Sequence, residues 1–133
     1  MNAVFLDTVG LIAVWDTSDQ WHEPAAAAFD KLLSASVSLF TTNYVLLEAG
    51  NAAARRPYRL RVNALRRFLL DANLLVDPTA SELEAAWSAF DRGLAGEAGI
   101  VDQIWFVVMR RLGLERAFTN DQHFRAAGFA TCW

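Results

Sequence analysis

"GIVDQIWFVVMRRLGLERAFTND", Gly99 to Asp121, holds in 23 residues the unit from which the rest of the chain is read. It opens on an apolar segment of helical length, interrupted at its head by a single acid, Asp102. Gly113 then supplies the residue that most readily closes a helix in the left-handed conformation. The short apolar run "RAFT" follows and reads as a strand, after which the chain turns through Asn120-Asp121. A turn aspartate is ordinary by itself, because Asp bonds its own backbone and tolerates turn geometry. The order is what matters: helix, tight turn, buried strand, then a carboxylate where the strand ends.

The same grammar recurs toward the N-terminus. "AVFLD", "VSLF" and "NLLVD" are three further apolar runs of strand length, two of them ended by an acid. "TVGLIAVW" reads as a turn into a short helix, and "HEPAAAAFDKLLSA" as a helix with Pro24 in its first turn, where proline is tolerated. "TTNYVLLEAGNAAARR" is a helix capped by Thr41, Thr42 or Asn43 and ended at Pro57. "YRLRVNALRRFLLDA" is an amphipathic helix with Leu60, Ala64, Leu65 and Phe68 expected on one face. "TASELEAAWSAFDRGL" carries overlapping capping boxes, Thr79 to Glu82 and Ser81 to Glu84, "GLAGEAG" is a loop, and "FATCW" is a possible fifth strand. Strands alternating with helices predict an α/β protein: a three-layer α/β/α sandwich with a mostly parallel four- or five-stranded sheet. Ligands in such folds bind outside the carboxyl ends of the strands.

Length and composition are consistent with this. The 133 residues, 54% of them apolar, suit a single domain over 1–133 with a core that needs no disulfides. The one cysteine, Cys132, reads as a small buried hydrophobe and allows no internal disulfide. With no secretory pattern at "MNAVFLD" and no apolar run of membrane-spanning length, the expected setting is cytoplasmic, with no membrane. The net charge of −3 is unusual for a protein that meets nucleic acid, but the charge is unevenly placed. Arg55, Arg56, Arg59, Arg61, Arg66 and Arg67 fall in one stretch without acids, which is either a solvated helix face or a phosphate-binding surface.

Most of the 15 acids lie in polar loops, caps or mixed helix faces; four do not. Asp7 ends the first strand, where it serves either as a helix cap or as a group on the sheet's carboxyl edge. Glu48 lies among Tyr44, Val45, Ala49 and Ala52, as a snorkelling surface acid or as a charge kept for a partner. Asp102 heads the most apolar helix, where the helix dipole alone would favour it. Asp121 follows the "RAFT" strand. Clustered carboxylates repel one another unless a cation is present, and hard divalent cations prefer oxygen ligands. No rival set exists: there is no HExxH, CxxC, P-loop or GxGxxG, and two histidines in all. His123 is either a proton shuttle or a local packing residue, and His22 reads as surface.

The ordered set "VFLDT", "TTNYVLLEAGN" and "GIVDQIWFVVMRRLGLERAFTNDQHFRAAGF" resembles the PIN-domain ribonucleases, most closely the VapC-type toxins of bacterial toxin–antitoxin pairs. The resemblance runs from Asp7 to Phe129. It implies that Asp7, Glu48, Asp102 and Asp121 are catalytic and hold Mg²⁺ (or Mn²⁺), with Thr119 as the supporting polar residue. It further implies hydrolysis of RNA by a metal-activated water, a homodimer, and a cognate antitoxin, with Arg55, Arg56 and Arg59 contacting RNA or antitoxin. Two departures stand out: Trp105 replaces the Ser or Thr usual three residues after the third acid, and "GEAGIV" lacks the Ser or Thr often found there. The alternative is a non-catalytic RNA- or protein-binding module on the same fold. A phosphohydrolase of the haloacid-dehalogenase type is disfavoured, because Asp7 is followed by Thr8-Val9 rather than by a second strand-end aspartate.

Overall fold

The computed structural model describes residues 2–133. Four parallel strands form one sheet in the order β2-β1-β3-β4: β1 (Ala3–Leu6), β2 (Ser38–Phe40), β3 (Arg116–Phe118) and β4 (Ala130–Thr131). All of β1 is buried, which is why it reads as an unbroken apolar run rather than an alternating one. Helices α1 (Thr8–Trp15), α2 (His22–Ser34), α3 (Asn43–Ala53), α4 (Arg59–Asp71), α5 (Ala80–Asp91), the short α6 (Leu94–Glu97), α7 (Ile100–Leu112) and α8 (Gln122–Ala126) flank it.

Local chemistry sets these boundaries. The Thr42 hydroxyl accepts the Val45 N–H at 3.2 Å and starts α3. Of the two overlapping capping boxes, Thr79 and Glu82 form the real one, and Ser81 lies inside α5. Glu82 also takes the Arg111 guanidinium at 2.7 Å, which ties the head of α5 to the tail of α7. Gly113 closes α7 in the left-handed region, at φ 69°, as the sequence leads one to expect.

Four expectations change. "NLLVD" contributes only one bridge, Thr41 to Leu75, beyond the β2 edge, so it is an extended tail of the sheet and not a full strand. The buried stripe of α4 runs through Leu65 and Leu69, while Leu60 is 84% and Phe68 60% exposed. The apolar residues of α4 outnumber what α3 can cover, and rotating the stripe by one residue puts Leu69 in the core. "GLAGEAG" is not a plain loop: it winds through left-handed Ala95, Gly96 and Glu97 into the turn α6. That turn is pinned by Gln103, whose buried amide donates to the Leu94 carbonyl at 2.8 Å. His22, finally, is half-buried rather than a surface residue, with its Nδ1 2.8 Å from the Ala13 carbonyl oxygen.

Because every strand runs the same way, the chain leaves β1, β2 and β3 at one edge. Two contacts lock that edge. The Thr41 hydroxyl donates to the Leu6 carbonyl at 2.7 Å, fixing the end of β2 against the end of β1. Gly10 of α1 lies against the end of β3 so closely that a Cβ there would sit 2.0 Å from the Phe118 carbonyl oxygen.

Candidate active site

Asp7 is the first residue past β1 and the N-cap of α1, but its side chain caps nothing. It is instead 3% exposed, one of few buried polar residues among those described. The cap and the edge carboxylate were both open readings for this residue; the fold gives it the cap position and turns its carboxyl inward. Burial pushes its pKa up to about 7, helped by the charges of Asp102 and Asp121. Two groups oppose that rise by bonding the ionised form: the Thr119 hydroxyl and the Thr8 backbone N–H.

Asp102, in the first turn of α7, is half-buried, and its pKa rises to about 6. Burial is again the largest cause, followed by repulsion from Asp121; His123 acts in the opposite direction. A hydrogen bond between the Asp102 and Asp121 side chains and the charge of Glu48 raise it further. The helix-dipole reading of Asp102 therefore does not describe its net environment, since the neighbouring acids and burial outweigh the dipole.

Asp121 keeps the turn role its sequence suggests and serves the edge as well. Its carboxylate accepts the His123 N–H at 2.9 Å and so caps α8, while its own N–H donates to the Thr119 hydroxyl at 3.1 Å. Thr119, fully buried, thus touches both strand-end acids, holding one by its backbone and the other by its side chain. These two bonds hold the turn after β3.

Glu48 stands apart from this trio. It is exposed on α3, and of the other three acids only Asp102 feels its charge clearly. It is nonetheless oriented: the Thr8 hydroxyl donates to its carboxylate at 2.7 Å across 40 residues of sequence. The snorkelling reading fits its exposure, and the Thr8 bond aims it toward the Asp7 side of the edge. Among the described residues, no three His, Cys, Asp or Glu side chains are drawn into a closed metal cage. The acids form an open set whose members repel one another, as carboxylates do without a countercharge.

His123 takes the packing role, with Nδ1 3.2 Å from the Ala95 carbonyl oxygen, joining α8 to the α6 turn. Trp105 is not a solvent-facing substitute for a hydroxyl. It is 1% exposed, with its ring centroid 5.9 Å from Phe5 and 6.3 Å from Tyr44, so it fills core behind the site. The arginine stretch divides. Arg56 pairs with Asp16 at 2.8 Å and Arg59 donates to the Ala54 carbonyl at 2.9 Å. Arg59 and Arg66 flank a groove of about 270 Å³ between α3 and α4, floored by Leu46, Leu47 and Val62. Sequence reasoning missed Thr8, Thr41 and Gly10. Only Gly10 left a signal, as a glycine inside an otherwise apolar helix.

The PIN domain family model matches residues 4–130. A 23S rRNA-specific endonuclease, VapC20 of Mycobacterium tuberculosis, is 30% identical over 127 residues, covering 95% of each chain. The crystal structure of that VapC20, described as a sarcin-ricin loop cleaving toxin, superposes with a TM-score of 0.76 over 96% of this chain and 97% of that one. Two more distant structures share the fold. FitAcB from Neisseria gonorrhoeae has a TM-score of 0.63 at 19% identity over 96% of this chain and 95% of that one. PAE2754 from Pyrobaculum aerophilum has a TM-score of 0.58 at 24% identity over 99% and 91%. A parallel sheet whose strand ends present acids, matched along nearly its whole length, places this chain in the PIN-domain family, among the VapC-type toxins.

Proposed function

We propose that this protein is a divalent-metal-dependent endoribonuclease, the toxin of a toxin–antitoxin pair, folded as one PIN-like domain over residues 1–133. The observation that carries the reading is the pair of raised acids, Asp7 at about 7 and Asp102 at about 6, set beside Asp121. A buried carboxyl that repels its neighbours at neutral pH destabilises the fold and is kept only where something uses it. An oxygen-only donor set suits Mg²⁺ or Mn²⁺, which takes one or two carboxylates and completes its shell with water and substrate phosphate. An open set of acids suits that incomplete shell better than a closed cage would.

Asp7, Asp102 and Asp121 would hold the ion, and Glu48, steadied by Thr8, would hold a second ion or orient the nucleophilic water. When bound, the metal supplies a water of lowered pKa and offsets charge on the scissile phosphate. Thr119 favours the ionised form of Asp7, against the larger effect of burial, and accepts the backbone N–H of Asp121. Hydrolysis forms a bond from the water oxygen to phosphorus and breaks the bond from phosphorus to the 3′ oxygen. The products are a 5′-phosphate and a 3′-hydroxyl, the latter taking up a proton.

The relative VapC20, an rRNA endonuclease and toxin, supports RNA as the substrate and a cognate antitoxin as partner; a homodimer in a cytoplasmic setting belongs to the same proposal. Arg59 and Arg66 beside an apolar groove suit an acidic, amphipathic segment of an antitoxin, whereas the Asp16 pair leaves Arg56 less available. Arg55 is exposed and fits either RNA or antitoxin. The test is cleavage of total RNA by purified protein in Mg²⁺, with chelator and Asp102→Asn as controls. Cuts lost in both controls are expected. Full activity of Asp102→Asn, or RNA binding with no cleavage by the wild type, overturns the assignment.

A further inference from the structure

We propose that the cavity lined by Trp21, Asn120, Gln122, Arg125 and Trp133 is a nucleobase-binding subsite, which receives an unstacked base of the RNA next to the scissile phosphate. The inference rests on the nuclease reading of the previous subsection and specifies which part of the substrate is read. The cavity holds about 450 Å³, within the ordinary range for small-ligand pockets. It lies beside the turn that presents Asp121, since Asn120 and Gln122 flank that residue in the chain and Arg125 donates to the Asn120 carbonyl at 3.2 Å.

Its lining has the chemistry that single-stranded RNA recognition requires: aromatic faces, edge-reading amides and a cation. Trp21 is 44% exposed, yet it is not on a loose loop. Its backbone N–H donates to the Asp19 carboxylate at 2.8 Å, and the ring of the next residue, His22, is tied to the Ala13 carbonyl. A large aromatic half in water on a fixed stretch of backbone suits a stacking platform. Trp133 forms another wall, fixed edge-on against Phe118 with ring centroids 4.9 Å apart. Its indole N–H is shielded from solvent and finds no partner among the described residues.

The amides of Asn120 and Gln122 make no side-chain hydrogen bond among the described residues, so each keeps a donor and an acceptor for a base edge. Arg125 is clamped by its Nε to the Thr131 hydroxyl at 3.1 Å and by one terminal nitrogen to the Asn120 carbonyl at 3.2 Å. Its other terminal nitrogen has no partner among the described residues and is free for a phosphate. The arrangement also answers an electrostatic difficulty. An edge crowded with acids repels RNA, and Arg125 places a fixed positive charge four residues from Asp121.

The test separates base from backbone. Intrinsic fluorescence of wild type, Trp21→Ala and Trp21→Phe is titrated with four-nucleotide RNAs, intact or with an abasic site at one position, in chelator so that no cutting occurs. Wild type and Trp21→Phe are expected to prefer an intact oligonucleotide by roughly ten- to a hundred-fold, and Trp21→Ala to lose the preference, as expected for one stacking contact. Equal affinity for intact and abasic RNA in the wild type overturns the subsite, as does an unaltered preference in Trp21→Ala. Sequencing of cut ends in Mg²⁺ gives a second readout: wild type shows a base preference next to the cut, which Gln122→Ala and Trp21→Ala flatten while still cutting. An unchanged preference refutes the subsite and leaves the nuclease standing. Absence of any cutting refutes the nuclease, while the chelator titration still decides the subsite.

Discussion

Replacing Asp7 with Asn is expected to inactivate the protein and, in the absence of metal, to stabilise it. The carboxyl is 3% exposed and its pKa stands at about 7 instead of 3.8. The native state therefore holds a proton on Asp7 between those values, where the unfolded chain has released it. The folded form binds more protons, so stability falls as pH rises from about 4 to about 7, and is lowest once Asp7 is ionised. A shift of roughly 3 units at 1.36 kcal/mol per unit corresponds to about 4 kcal/mol, on the order of 10 °C in melting temperature for a chain of this size. Asp102 acts in the same direction, with a smaller effect because it is only half-buried. Asn is nearly the same shape and carries no charge, so the variant escapes this loss. The assay is thermal unfolding by circular dichroism in chelator at pH 5 and pH 8. Wild type is expected to melt lower at pH 8 than at pH 5, with Asp7→Asn above wild type at pH 8 and much less dependent on pH. Added Mg²⁺ should raise the wild-type midpoint at pH 8 by mass action and leave the variant nearly unmoved. A wild-type midpoint that is flat or rising from pH 5 to pH 8, or a variant less stable than wild type at pH 8, refutes the reasoning.

Two further outcomes follow from the packing. Gly10→Ala puts a methyl 2.0 Å from the Phe118 carbonyl oxygen, a backbone atom that cannot rotate aside, so α1 must move off the end of β3. A loss of about 1–3 kcal/mol in urea unfolding is expected, with RNA cleavage falling further than stability does; an unchanged midpoint would show that α1 is not seated there. Trp105→Thr opens a cavity between Phe5 and Tyr44 and is expected to cost about 3–5 kcal/mol. A gain of activity without loss of stability would show that position 105 faces the site after all.

The sequence announced the sheet through its apolar runs, and it announced three of the four acids through their position after or beside those runs. Strand ends and helix heads are local features, so Asp7, Asp102 and Asp121 stand out, but each alone reads equally as a cap, a helix-head acid or a turn residue, and only as a set with Glu48 do they point to a cation site. What was not legible is everything that depends on two segments meeting. "NLLVD" has strand composition, but whether it pairs fully depends on how far β2 extends, and β2 offers it a single bridge. The face of α4 was misread because its apolar residues exceed one stripe, and only α3 decides which stripe is covered. Thr8 is a commonplace residue until the fold carries Glu48 to within 2.7 Å of it. The spacing of Trp105 from Asp102 suggests a lost hydroxyl, but its burial against Phe5 makes it a core residue.

These points bear on why the site takes the form it does. Asp121 is held by turn bonds, its carboxylate capping α8 and its N–H donating to the Thr119 hydroxyl. Asp7, Asp102 and Asp121 are presented by different elements, and their mutual repulsion, together with burial, raises the pKa of Asp7 and Asp102. The repulsion therefore stays in the folded state and must be offset by packing elsewhere. The wholly buried β1 and the aromatic cluster of Phe5, Trp105, Phe106, Phe118 and Phe124 provide that offset immediately behind the acids. On this view Trp105 belongs to the site energetically without touching substrate. A polar residue in its place would give up the ring contacts with Phe5 and Tyr44 and loosen the core behind the acids.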